Sequence, residues 1–311
     1  MTNPIGWCEE TWNPITGCTP ISEGCRNCYA QRMAKRMAGR FGYDAEHPFR
    51  PGTLHPEQLD KPDKWKKPRK IFVCSMGDLF HEAVPDEEID KVIQEAALCV
   101  SGWVPKVEEP EDEEDYTYWP GHTFLLLTKR AGRMRRYINN AHSRFDDWLG
   151  ECVPGDISDW IHHKGWPLPN LWLGTTVENQ DNIGRICHLL ETPAAVRYIS
   201  AEPMLGPLDL EGGPTYPQYG MLRGWHVEPG EQDPDGNWEA VQVKHKAKID
   251  LVICGAENGP GARPMKLEWA RDLRDQCREA GVPFWFKGAG PGIETPEDLM
   301  IQEWPKERSE A

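Results

Sequence analysis

The 311-residue chain carries 50 Asp and Glu against 35 Lys and Arg, a formal charge of −15. That balance argues against broad, non-specific nucleic-acid binding, which needs a net basic face. The length suits one α/β barrel or two smaller domains with a sizeable core. With no signal peptide and no apolar run of membrane-spanning length, the expectation is a cytoplasmic protein with no membrane partner. Seven of the ten cysteines, Cys8, Cys74, Cys99, Cys152, Cys187, Cys254 and Cys277, stand singly. That scatter is no disulfide framework and suits a reducing compartment.

In chain order the sequence reads as repeated strand-then-helix units. Residues 7–14 predict a short first strand feeding a loop that holds Gly17, Cys18, Pro20, Gly24, Cys25 and Cys28. Residues 29–40 predict a helix with Met33, Ala34 and Met37 on one face and Arg32, Lys35 and Arg36 on another. Residues 44–69 read as Pro-rich loop, 70–74 as a strand ending in the turn Ser75-Met-Gly-Asp78, and 85–100 as a helix. An acidic excursion spans 104–120. Residues 122–128 form the third strand, and Lys129-Arg130-Ala-Gly-Arg133-Met-Arg135-Arg136 opens a helix, with 141–170 irregular. Strands follow at 171–176, 196–200, 249–254 and 282–287, with helices at 177–190 and 266–280. A Gly/Pro-rich insertion at 206–247 is expected to be a mobile lid or partner surface.

Seven short apolar strands alternating with helices predict a parallel sheet. The fold class is therefore α/β, a full or partial TIM-type barrel with loop insertions, as a single domain over 1–311. No Gly-x-Gly-x-x-Gly turn follows the first strand, so a dinucleotide-binding sheet lacks its main support. Polar residues recur just beyond each strand: Ser75 and Asp78, Thr128 to Arg130, Glu178 and Asn179, Glu202, Glu257 and Asn258, and Lys287. That is the rim on which a parallel barrel assembles its site.

Three thiols within eleven residues on a Gly/Pro-bearing loop converge naturally on one metal centre. Cys18, Cys25 and Cys28 are three ligands rather than four, a count that suits an iron–sulfur cluster with one open iron. The competing readings are a zinc site completed by Cys8, and ordinary buried thiols.

Six motifs together carry a resemblance: Trp-Asn-Pro-x-x-Gly-Cys, Cys-x-x-Cys-Tyr-Ala, Ser-Met-x-Asp-Leu-Phe-His, Leu-Thr-Lys-Arg, Ser-Ala-Glu-Pro-Met-Leu-Gly and Gly-x-Glu-x-Gly-Pro-x-Ala-Arg-Pro-Met. Over residues 7–290 they resemble a family widespread in phages and bacteria, described as phage proteins with a radical-SAM-like three-cysteine motif. The resemblance implies a radical S-adenosylmethionine enzyme in which Cys18, Cys25 and Cys28 hold a [4Fe–4S] cluster, with S-adenosyl-L-methionine as cosubstrate and a donor such as flavodoxin or ferredoxin. The cysteine spacing is six then two residues, where that superfamily usually has three then two, and Asn27 rather than an aromatic residue precedes the third cysteine.

The resemblance implies cosubstrate binding by Ser75 and Asp78 in the turn after the second strand. Glu178, Asn179 and Glu202, on the same rim, are further cofactor-binding candidates, with Cys74, Glu257 and Lys287 as candidate catalytic residues. Cys74 takes that place by similarity to spore photoproduct lyases, which carry a hydrogen-donating cysteine near such a turn. The basic run from Lys129 to Arg136 suits phosphate contacts, so a nucleotide or nucleic acid, modified or repaired, is the expected substrate. The alternative is a zinc-stapled phage-associated binding protein without radical chemistry.

Overall fold

The computed structural model describes residues 5–99, 102–105, 116–119, 121–152, 166–211, 219–232, 238–244 and 247–305. Seven strands form one sheet in chain order: β1 (Glu10–Trp12), β2 (Lys70–Val73), β3 (Thr123–Thr128), β4 (Leu171–Thr176), β5 (Val196–Ala201), β6 (Leu251–Gly255) and β7 (Phe284–Gly288). The ladders run parallel, with Glu10 opposite Ile71, Lys70 opposite Thr123, Tyr198 opposite Leu251 and Val252 opposite Phe284. A sheet whose order never reverses has no switch point, which sets it apart from the doubly wound arrangement. Every residue of β6 is buried, as a strand covered on both faces requires.

The chain divides into two compact units, Met1–Pro20 with Tyr29–Leu173 and Thr192–Ala195, and Ile21–Cys28 with Gly174–Glu191 and Val196–Ala311. In the first, α1 (Tyr29–Met37) buries Ala30 and Ala34, four residues apart on one face. Helix α2 (Asp86–Leu98) starts after Pro85 with Asp86, Glu87 and Glu88 in its first turn, where carboxylates favour the positive helix end. It buries Ile89, Val92, Ile93, Ala96 and Ala97, a full 3.6-residue stripe. In the second unit, α4 (Gly184–Leu190) buries Ile186, Leu189 and Leu190, and α5 (Leu267–Ala280) buries Ala270, Leu273 and Cys277.

Three expectations change. Helix α3 spans Ala131–Cys152, so residues 141–152 of the stretch expected to be irregular are helical, while 153–165 lie outside the described residues. The weak formers Asn139 and Asn140 do not stop it, because a helix already nucleated propagates at little cost. The insertion at 206–247 is no plain loop. Its described part holds a three-stranded antiparallel sheet of Tyr219–Gly220, Trp225–Gln232 and Trp238–Lys244, and Leu208, Leu210, Met221 and Leu222 are buried. Part of this segment is core, so its deletion would remove buried apolar surface as well as any lid. Third, the two ends of the acidic excursion at 104–120 take part in an antiparallel pair, Gly102–Pro105 with Tyr116–Trp119. Residues 106–115 and 120 of the excursion, and 212–218, 233–237 and 245–246 of the insertion, lie outside the described residues.

Candidate metal centre and its anchors

All nine described cysteines are free. Cys18, Cys25 and Cys28 are half-buried, while Cys8, Cys74, Cys99, Cys254 and Cys277 are buried. Cys18 belongs to the first unit, Cys25 and Cys28 to the second.

The chain reaches Cys18 through a tightly tied turn. Asn13 Oδ1 accepts from Ser75 Oγ at 3.1 Å and from Met76 N at 2.9 Å, joining the end of β1 to the turn after β2. Gly17 sits at φ +83° and donates its N–H to Met76 O at 3.0 Å; a Cβ there would lie 1.8 Å from Arg50 O. Only glycine fits that place. Cys74 also has a left-handed backbone, φ +55°, and burial pushes its thiol up to about 12. It is thus a buried, neutral S–H.

Arg130 is the hub beside Cys18. Its side chain is 4% exposed and all five of its N–H donors are used. Nε donates to Glu82 at 2.8 Å, Nη1 to Asp78 Oδ2 at 3.1 Å and to Cys18 Sγ at 3.2 Å, and Nη2 to Thr19 O at 3.1 Å and Thr19 Oγ1 at 3.0 Å. Its pKa lies above the ordinary arginine value; burial, the largest influence, opposes that shift, and the Asp78 and Cys18 charges overcome it. Asp78 also accepts from Thr128 Oγ1 at 2.7 Å and Phe80 N at 3.0 Å. His81 Nδ1 accepts from Ala83 N at 3.0 Å, which places the ring proton on Nε2 for the 2.8 Å bond to Thr19 Oγ1. Burial and then the Arg130 charge hold His81 below the usual histidine range.

The segment with the other two cysteines is anchored by two carboxylates. Glu178, fully buried after β4, accepts from Ser22 Oγ at 2.5 Å and from Arg185 Nη1 at 2.7 Å. A Cβ on Gly24 would lie 2.4 Å from Glu178 Oε1, so only a glycine lets this turn approach the carboxylate. Glu257, after β6, accepts from Asn27 Nδ2 at 2.9 Å and from Arg263 N, Nε and Nη2 at 2.8, 2.9 and 2.6 Å. Burial opposes ionisation of Glu257, but these donors outweigh it and hold the carboxyl at about 2. Arg263 Nη2 also donates to Glu23 O at 3.0 Å. The short helical turn Glu23–Cys25 is thereby fixed, and Cys25 Sγ lies 3.8 Å from Ser22 Oγ.

The remaining expected site residues fall into place around these. Asn179 precedes the turn Gln180–Asn182, and its Oδ1 accepts from Asn182 Nδ2 at 2.6 Å. Glu202, just beyond β5, and Lys287, within β7, form an ion pair alongside Gly255. The expected phosphate-binding run is committed internally at two positions. Arg130 is buried as above, and Arg133 donates to His81 O, Val84 O and Asp86. Asn13, Ser22, Asn27 and Arg185 escaped sequence reasoning; Asn13 and Asn27 do lie inside the quoted motifs, flanking the cysteines. A second cluster also escaped it: Asp63, Glu95 and Cys99 bring one ligand atom each within 4.8 Å of one another. Burial first, then Asp63, pushes the Glu95 carboxyl up to about 8.

Sheet and anchored loop together define an α/β protein whose first strand delivers a cysteine triplet, with buried carboxylates after later strands fixing the loop. The particular family follows from comparison. Residues 2–101 and 115–304 match the family described as "Protein of unknown function (DUF5131)", and the chain belongs to it. No curated protein and no solved structure matches the chain. Among the described residues no helix is long and apolar enough to cross a membrane.

Proposed function

We propose that this protein is a radical S-adenosylmethionine enzyme on a partial TIM-type barrel, in which Cys18, Cys25 and Cys28 bind a [4Fe–4S] cluster. The observation that carries the reading is Arg130 Nη1 donating to Cys18 Sγ at 3.2 Å from a fully satisfied, buried guanidinium. A guanidinium donor aimed at a half-exposed sulfur is the kind of outer-shell partner that orients a metal-ligating cysteine. The donor set suits iron and sulfide: soft thiols, free and partly open to solvent. Such a cluster with S-adenosylmethionine supplies one-electron cleavage of the sulfonium and hydrogen-atom abstraction from a substrate.

The chain's own residues divide into two tasks. Asp78, Glu178 and Glu257 have their oxygens filled by internal donors. Their task is to shape the loop rather than to hold cosubstrate. Ser75, Asn179 and Glu202 remain for cosubstrate binding. Lys287, paired with Glu202, remains for proton handling, and the neutral Cys74 thiol retains the hydrogen that a donor needs. The substrate is a nucleotide or nucleic acid and the electron donor a flavodoxin or ferredoxin, in a reducing cytosol.

Anaerobic reconstitution with iron and sulfide tests the reading. The parent should take up about four irons per chain. Cys18→Ala, Cys25→Ala and Cys28→Ala should each lose the cluster, while Cys8→Ala keeps it. One zinc without sulfide in the parent, lost equally in the Cys8 variant, would establish the zinc-stapled alternative instead.

A further inference from the structure

The first unit carries a basic surface that the cysteine loop does not use. Residues 29–43 hold four basic residues, Arg32, Lys35, Arg36 and Arg40, without one carboxylate, in a chain with 50 Asp and Glu, and Arg50 joins them. In α1, Tyr29, Arg32 and Arg36 are spaced three and four apart, so they share the face opposite buried Ala30 and Ala34. The chain then turns tightly: Arg40 N donates to Met37 O at 2.9 Å and Tyr43 N to Arg40 O at 2.9 Å. At the tip Phe41 adopts φ +52° and is 78% exposed as a residue. A bulky residue held left-handed and pointing into water is costly twice over, and neither cost serves packing.

Arg40, Phe41, Tyr43, Asp44 and Arg50 line one groove of about 460 Å³. Asp44, its acidic member, accepts from Glu46 N at 2.8 Å and His47 N at 2.6 Å. Lys35, Arg36, Arg40 and Arg50 are exposed and form no ion pair among the described residues. Arg130 and Arg133, by contrast, spend their donors inside the protein.

We infer that this surface, from Tyr29 through the Phe41 tip to Arg50, binds single-stranded nucleic acid. Guanidinium groups match phosphate bidentately, and an exposed ring gives a base a stacking platform that a folded duplex does not need. The net charge of −15 disfavours extended contact with a polyanion, so the contact is local and salt-sensitive. The inference goes beyond the radical chemistry and holds for the metal-free chain.

The test is fluorescence anisotropy of the full chain with a labelled single-stranded oligonucleotide of about 15 nucleotides, titrated across roughly 50 to 200 mM salt. Arg36→Ala/Arg40→Ala/Arg50→Ala should weaken binding at least tenfold at the lowest salt. It should also flatten the log–log salt slope by about 2, from about 0.7 per phosphate contact removed. Phe41→Ala should weaken binding roughly tenfold with the slope unchanged, because stacking releases no counterions. Far-UV circular dichroism confirms that both variants fold. A parent that does not bind, or a triple variant that binds like it, would overturn the inference. Competition by polyglutamate as strong as by unlabelled oligonucleotide would also overturn it, in favour of an acidic protein partner. Iron content is read separately: binding without iron fails the enzyme reading alone, and iron without binding fails this one alone.

Discussion

Replacing Arg130 by alanine removes the guanidinium that faces the Asp78 carboxylate at 3.1 Å, in a pair whose side chains are 4% and 7% exposed. Stripping one partner from a buried pair leaves an uncompensated charge and costs about 3–5 kcal/mol. The contact with Glu82, whose side chain is 68% exposed, adds at most about 0.5 kcal/mol. The bonds to Thr19 and Cys18 add little more, since those partners are open to water. The expected loss is therefore about 4 kcal/mol, roughly 6 °C in Tm for a chain this long. Urea unfolding at neutral pH measures it, through a lower midpoint at unchanged slope. Adding Asp78→Asn should recover about half, because a neutral amide can still accept from Thr128 Oγ1 and Phe80 N without carrying a charge. A loss below about 1 kcal/mol, as for an exposed pair, would refute the hub. So would a double variant no more stable than the single one.

Two further predictions bear on the loop and on pH. Gly24→Ala drives a methyl to within 2.4 Å of Glu178 Oε1, which Ser22 and Arg185 hold in place. It should cost about 1–3 kcal/mol and lower the iron taken up on reconstitution. A variant as stable as the parent, with full iron, would show that the turn has room to spare. Glu95 is held protonated up to about pH 8, above the ordinary carboxylate value. The stability it contributes is therefore present below the unfolded carboxyl pKa and lost as pH rises through about 8. Glu95→Gln should thus stabilise the protein relative to the parent above pH 8, with the difference shrinking toward about pH 5. Paired urea titrations across that range check it, and the opposite pull of the depressed histidines His55, His81 and His122 cancels in the difference. A difference independent of pH would mean that Glu95 ionises normally.

The sequence by itself determined the strand-and-helix alternation, the positions of all seven sheet strands to within a few residues, and the cysteine triplet beyond the first. These are local signals: buried parallel strands read as short apolar runs such as Leu251 to Cys254, and α2 displays its stripe within thirteen residues. Tertiary structure decided what the charged residues are for. Arg130, Glu178 and Glu257 look alike in sequence, as polar residues after a strand, whether they face a substrate or the protein's own loop. Only the fold brings Arg130 to Cys18 across 112 positions, Ser22 to Glu178 across 156 and Asn27 to Glu257 across 230. The insertion shows the same limit. Its Gly and Pro content reads as loop, because antiparallel pairing of Trp225–Gln232 with Trp238–Lys244 is a property of two segments together. Local propensity reports the conformation that one segment prefers, whereas the partner that satisfies a buried charge or a strand edge lies elsewhere in the chain.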